Sequence, residues 1–253
     1  MQDGVSTDVR REMTPTGRLR ATINLGNVVL AQRDPSTGNL GGVSVALAWE
    51  LGRRLGVQVD LAPFDTAGKA FAALQARQCD VGFLAIDPVR AADLAFTAPY
   101  VLIEGTYIVR AGSDLFAAAD VDRPGIRIAA GKNTAYDLFL SRALKHAELV
   151  YAPTSADALD LFLAQDLEAA AGVRQPLVSY AQAHSGLRVM EDRFTGIEQA
   201  MAMPKGDDNS WRYLCDFVED AKASGFVARA LEASGQGDAT VAGPAAPGGA
   251  VAP

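Results

Sequence analysis

Few residues of this chain carry the chemistry of a metal site or a catalytic set. Cys79 and Cys215 are its only thiols, and His146 and His184 its only imidazoles. They do not fall at a spacing that holds zinc. Neither histidine stands at a spacing from a cysteine that marks a nucleophile and its base, and no Ser-His-Asp set is visible. The cysteines read as two half-buried thiols that pack as small hydrophobes. The glycine-rich GNLGG (38–42) lacks the lysine and hydroxyl with which a phosphate loop grips a nucleotide. What remains is binding chemistry, in three loops at 24–31, 64–68 and 85–90. On spacing alone, Arg90 in the last of these reads as a solvated arginine on a helix surface.

The elements around those loops explain why they matter. GRLRATINLG (17–26) alternates around Leu19, Ala21 and Ile23 and predicts a strand. The segment 31–42 is turn chemistry, rich in Gly, Pro, Ser and Asp. Residues 43–56 place Val45, Leu47, Ala48, Leu51 and Leu55 at helical spacing, with Gly56 as the stop. VQVDLAPF (57–64) predicts a strand, 67–78 a helix, and the apolar run CDVGFLAI (79–86) a buried strand. Strand–helix alternation of this kind implies right-handed crossovers and a mostly parallel sheet. Ligands of such sheets bind beyond the carboxyl ends of the strands, where the three loops fall.

The rhythm then repeats. Strands are predicted at 106–112, 125–131, 148–153, 167–173, 187–191 and 197–204, with helices at 133–146, 155–165 and 175–184. Residues 211–235 form one or two amphipathic helices. Residues 1–17 read as a frayed or short helical lead-in. The stretch 238–253 is Ala/Gly/Pro-rich without periodicity and is expected to be disordered. Two α/β units facing each other leave a cleft, the usual seat of a small ligand.

Composition narrows the partners. With 253 residues, 49% of them hydrophobic, the chain is large enough for one large or two smaller packed domains. Its net charge of -7 argues against nucleic acid, whose phosphates select basic faces. There is no apolar window of the ~18–20 residues that a membrane span needs, so no direct membrane insertion is expected. MQDGVSTDVRREM has neither the apolar core nor the cleavage site of a secretion signal. The expectation is either a cytoplasmic protein or a leader absent from this sequence.

The order of five segments resembles a known family: GRLRATINLG, GGVSVALAWELGRRLGVQV, FAALQARQCDVGFLAI, DPVRAADLAFTAPY and VDRPGIRIAAGKNTAY. Together they look like the family-3 extracellular solute-binding proteins, the polar-amino-acid-binding type of periplasmic receptor. The likeness spans roughly 17–235. Its anchors are Arg90 followed by Phe96-Thr97 and Pro99-Tyr100, the turn at Gly131, and GFVARALEASG near the end. It implies a type II periplasmic-binding-protein fold, α/β, with two lobes of mostly parallel sheet joined by two hinge crossings near 104–107 and 199–201. Lobe one is then 18–105 plus 200–235 and lobe two 106–199, after a lead-in of 1–17 and before a disordered tail of 236–253. It further implies a periplasmic, monomeric, non-enzymatic receptor without cofactor or metal. Such a receptor captures a small anionic ligand by hinge closure and delivers it to the membrane permease of an ABC importer.

The resemblance also assigns residues. Arg90 takes the place of the arginine that grips the ligand carboxylate, a bidentate match for a guanidinium fork. Lys132, Asn133 and Thr134 follow Gly131 where the family presents backbone N–H groups at a helix N-terminus; ordinary helix capping explains the same residues. Asn24, Phe64 and Ala85 lie in the strand-end loops, and Asn27 stands where the family has a stacking aromatic. Asp87 either orients Arg90 or takes over an ammonium. Ala46 replaces an acid of the first helix. Most telling, Val173 stands where amino-acid binders place the acid that pairs with the α-ammonium, and an ammonium buried against valine costs several kcal/mol. Arg174 adds positive charge if it turns inward. The implied ligand is therefore a small carboxylate lacking a standard α-amino group. Glu104, Glu198 and Gln199, near the crossings, are the candidates for a substitute ammonium partner or for hinge residues. The alternatives are an ordinary amino-acid receptor with a relocated acid, a ligand sensor docking on a membrane receptor, and a dehydratase-like enzyme on the same fold, which needs an acid at position 173.

Overall fold

The computed structural model describes residues 5–206, 208–246, 250 and 252. The chain divides into two compact units, Met1–Leu102 with Glu198–Pro253, and Ile103–Ile197.

Unit one begins with α1 (Thr7–Met13), capped by the Ser6 hydroxyl, which accepts the Val9 N–H. The lead-in is thus a folded helix: Met13 is fully buried, and the Ser210 hydroxyl donates to Glu12 at 3.1 Å. β1 (Leu19–Asn24) follows, then a small hairpin of β2 (Gln32–Arg33) and β3 (Leu40–Gly41) inside the segment expected to be turn alone. α2 (Val43–Leu55) buries Val45, Leu47, Ala48, Leu51 and Leu55 and stops at Gly56, whose φ of 68° is the left-handed conformation glycine adopts without strain. β4 (Val59–Phe64) pairs parallel with β1 over its full length, with Asn24 opposite Phe64. α3 (Ala67–Gln75) is capped by Thr66 and leads to β5 (Gly82–Ala85), all four residues of which are buried. α4 (Pro88–Ala91) is a single turn.

β6 (Leu94–Arg110) begins in unit one and ends in unit two. It starts twelve residues earlier than the alternation at 106–112 predicts, because LAFTAPYVLI is an apolar run without a period. Unit two continues with β7 (Arg127–Gly131), α5 (Ala135–Ala143), β8 (Glu148–Ala152), α6 (Ser155–Ala164), β9 (Ala169–Val173), α7 (Arg174–Ala183) and β10 (Leu187–Val189). β7 pairs parallel with β8 and β9, while β9 and β10 pair antiparallel with β6. Ile108, Ala129, Phe162, Leu167 and Leu177 form its core.

β11 (Thr195–Pro204) returns to unit one and pairs antiparallel with β5, with Gln199 opposite Ala85. α8 (Asp208–Ala223) and α9 (Phe226–Ala233) close the unit as two helices separated by Gly225. The tail departs from its expected disorder: β12 (Thr240–Val241) pairs with β6 at Leu102 and Val101, Ala239 and Ala242 are buried, and Lys222 donates to the Gly243 carbonyl at 2.8 Å. Small side chains that build no core of their own still complete an open strand edge. The remainder of that stretch, 247–249, 251 and 253, lies outside the described residues. Both thiols are free, Cys79 buried and Cys215 half-buried.

Candidate functional site

In unit one the carboxyl ends of three strands meet. β1 and β4 finish side by side, and the Leu25 N–H donates to the Phe64 carbonyl at 2.8 Å. The loop beyond β1 is shaped by its own asparagines. Asn24 Oδ1 accepts the Gly26 N–H at 3.0 Å, and Asn27 Oδ1 accepts the Val29 N–H at 3.3 Å. Gly26 is required here, since a Cβ would sit 2.5 Å from the Asp65 carbonyl oxygen. Phe64 packs against the cluster of Ala70, Leu74, Leu84 and Phe96. β5 ends at Ala85, and the Ile86 N–H reaches the Glu198 carbonyl at 2.9 Å.

The next turn sets Arg90. Asp87 caps α4, its Oδ1 accepting the Val89 N–H at 2.9 Å, with Pro88 pre-set at the first helical position. One turn on, Arg90 folds back so that Nη1 donates to the Ala85 carbonyl at 3.2 Å. The residue is only 2% exposed, which departs from the solvated arginine that spacing alone suggests. Burial pulls its pKa down to about 10, against the favourable field of Asp87. Asp87 and Gln199 are buried as well, whereas Glu198 is exposed. Val28 and Val89, absent from the sequence-level set, are exposed apolar side chains in the loops that carry Asn27 and Arg90.

In unit two the carboxyl end of β7 is Gly131, where α6 packs so closely that a Cβ would lie 2.9 Å from the Ser155 nitrogen. Asn133 takes a φ of 60°. Thr134 caps α5, accepting the Asp137 N–H at 3.1 Å and donating to the Gly131 carbonyl at 2.9 Å. The buried Asp137 carboxylate in turn accepts the Asn133 N–H at 2.7 Å. An internal anion therefore already sits at the positive end of α5. Sequence reasoning missed Asp137, although an acid three residues after a capping threonine is the capping-box spacing.

β9 ends at Val173, opposite Gly105 on β6. Arg174, the first residue of α7, turns to Glu104: Nε lies 2.5 Å from Oε2. Its other N–H groups donate to the carbonyls of Met190, Glu191 and Asp192 at 2.8, 2.8 and 3.2 Å. Arg193 holds the second oxygen of Glu104 at 3.3 Å. Unit one thus gathers Asn24, Asn27, Phe64, Ala85, Asp87, Arg90, Glu198 and Gln199 along one set of strand ends. Unit two gathers Val173, Arg174 and Glu104 at one strand end, and Asn133 and Thr134 at another. Among the described residues no group of three or more His, Cys, Asp or Glu side chains is placed to hold a metal, and no helix is long and apolar enough to cross a membrane.

The family model of bacterial extracellular solute-binding proteins, family 3, matches residues 31–234. A mutant of ArgBP from T. maritima is similar in structure, with a TM-score of 0.75 at 21% identity over 89% of this chain and 98% of its own. An ancestral amino acid-binding protein described as a precursor of cyclohexadienyl dehydratase gives 0.75 at 21% identity, over 88% and 97%. An amino acid ABC transporter substrate-binding protein from Streptococcus pneumoniae, bound to L-arginine, gives 0.75 at 17% identity, over 92% and 99%. At these identities the likeness is one of fold, the mixed α/β type II periplasmic-binding-protein fold. No curated protein matches the chain.

Proposed function

The chain belongs to the bacterial extracellular solute-binding proteins of family 3, and from that premise we propose that it is the periplasmic substrate-binding protein of an ABC importer for a small carboxylate without an α-amino group. The observation that carries this reading is Arg90, buried at the strand ends of unit one and held in the charged form against the cost of desolvation. A solute carboxylate offers that guanidinium a bidentate partner in a site of low dielectric.

The missing amino group rests on unit two. Where the resemblance puts the ammonium partner, the chain has Val173, which can neither pair with a cation nor transfer a proton. Glu104, one position further along the ladder, is engaged by Arg174 and Arg193. In this the chain contrasts with the similar protein bound to L-arginine, whose ligand brings two further cationic groups. The absence of a proton-transferring side chain at 173 also weighs against dehydratase-like chemistry. One observation favours a second reading, an ordinary amino-acid receptor: Asp87 is buried and close enough to Arg90 to raise its pKa. Its Oδ1 is used in capping α4, which makes orienting Arg90 the simpler role.

Matched ligands of one carbon skeleton separate the readings. A 2-oxo acid, its 2-hydroxy analogue and the corresponding L-amino acid are compared by thermal shift. A ligand at 100 times its Kd adds about 2.7 kcal/mol, or roughly 5–10 °C for a protein of this size. The oxo and hydroxy acids are expected to produce the shift. A shift from the amino acid alone overturns the proposal.

A further inference from the structure

The glycine-rich GNLGG segment, which the carboxylate reading leaves unused, borders a separate cavity. Its volume is about 670 Å³, it is open to solvent, and all of its lining residues belong to unit one. Small-ligand sites span roughly 300–1,000 Å³. The β2–β3 hairpin forms one side, α2 the floor, and the C-terminal end of α9 the far side through Ala230, Ala233 and Ser234. We propose that this cavity is a saccharide-binding site, in which a pyranose ring of a neutral sugar lies on the Trp49 indole and its hydroxyls meet the polar side chains of the hairpin.

Trp49 lies on α2 but takes no part in the helix's core face. It is 52% exposed and lines the cavity. An indole left open to water is a large, flat apolar surface with one N–H donor. The C–H face of a pyranose complements that surface, while its hydroxyls project toward the rim. The two glycines before α2 differ in what requires them. Gly42 has a φ of 103°, and a Cβ there would lie 2.4 Å from the Leu30 carbonyl oxygen, so the fold demands it. A Cβ on Gly41 would meet nothing within 4 Å. Gly41 therefore keeps space open and serves no packing contact. Ala46, where the family resemblance puts an acid, widens the same floor.

The rim sets the chemical class. Of the residues lining the cavity only Arg33 and Asp34 are ionised. They cancel, which suits a neutral ligand over an ion. With Gln32 and Asn39 they offer donors and acceptors together, the mixed set that neighbouring hydroxyls need. The hairpin loop is already fixed. Asp34 Oδ1 accepts the Ser36 N–H at 2.8 Å, the Ser36 hydroxyl at 2.6 Å and the Thr37 N–H at 3.1 Å. The Asp34 N–H donates to the Asn39 carbonyl at 2.8 Å, and Arg33 Nη1 to the Gly38 carbonyl at 3.1 Å. A rim held in this way loses little freedom when a ligand arrives.

The test is titration calorimetry of the full chain with maltose, cellobiose and N,N′-diacetylchitobiose, beside co-sedimentation with insoluble starch, cellulose and chitin. At least one disaccharide is expected to bind saturably below about 10 mM, or one glycan to carry the protein down. Binding of the disaccharide alone identifies a free sugar as the ligand, and sedimentation identifies a polymer. Trp49→Ala is expected to weaken the binding about tenfold or more. Gly41→Leu, whose side chain enters open space, is expected to abolish it without moving the urea midpoint. Should Gly41→Leu fail to fold, Ala233→Leu narrows the cavity from an exposed position on α9. The assignment is overturned if no disaccharide binds and no glycan sediments the protein, or if binding survives unchanged in either Trp49→Ala or the folded filling variant. The cavity shares no residue with the strand ends around Arg90, so this result and the carboxylate reading stand or fall separately.

Discussion

Replacing Arg90 with methionine is expected to make the ligand-free protein more stable while abolishing its response to carboxylates. Burial lowers the guanidinium pKa from its ordinary 12.5 to about 10, the attraction of Asp87 included, which at 1.36 kcal/mol per tenfold change sets the net burden of the charged form at about 3 kcal/mol. Methionine follows the same apolar path without the charge. Against this stand the lost hydrogen bond to the Ala85 carbonyl at 3.2 Å and the guanidinium's further interactions, together about 1–2 kcal/mol. The balance is a gain of about 1 kcal/mol, or roughly 2–4 °C in Tm. Urea unfolding at neutral pH, with and without a saturating 2-oxo acid, measures both parts. Wild type is expected to gain about 2.7 kcal/mol from ligand at 100 times its Kd, and the variant nothing. A site tuned for a ligand carries such a cost when empty. A structural strut does the opposite. If Arg90→Met costs 2 kcal/mol or more and the ligand increment survives, the reasoning about Arg90 is refuted.

The same guanidinium sets a pH limit. As a cation whose folded pKa is depressed to about 10, it is charged below that value and neutral above it. Carboxylate affinity is expected to be level from pH 6 to 9 and to fall about tenfold per unit above pH 10, moderated by the ligand's own stabilisation of the charge. Calorimetry across pH 8–11 checks this, and a constant affinity there contradicts it. In unit two, Gly131→Ala forces a Cβ to within 2.9 Å of the Ser155 nitrogen and 3.0 Å of the Thr154 carbonyl carbon. Because those neighbours are backbone, the expected cost is about 1–3 kcal/mol in the urea midpoint. No change in midpoint would mean that α6 sits further from β7 than the geometry gives.

How much could be read in advance follows from the range of the forces involved. α2 was legible to its last residue because its apolar spacing and the glycine that ends it are both local. β1 and β4 were legible from alternation within six residues each. The first half of β6 was not, since an apolar run fits a buried strand and a helix segment alike. α5 begins two residues later than expected because Asn133 takes a left-handed φ and yields its N–H to Asp137. The tail shows the clearest failure. Composition excludes an independent core but says nothing of docking, and Ala239 and Ala242 are buried by an edge that 101–102 had left open.

At the candidate site the divide is sharper. The positions of Arg90 and Asp87 at one strand end follow from local order, but the burial of Arg90 does not, because it depends on the turn that folds its side chain back to Ala85. The pairing of Arg174 with Glu104 spans 70 positions. It is dictated by the antiparallel register of β6 against β9, which puts Gly105 opposite Val173. Read singly, Arg174 is a cation beside a valine and Glu104 an acid free to hold an ammonium. Brought together, with Arg193 on the second carboxylate oxygen, they cancel each other's separate implications. What these two residues do lies in the pair, and the pair is a property of strand register rather than of either residue in it.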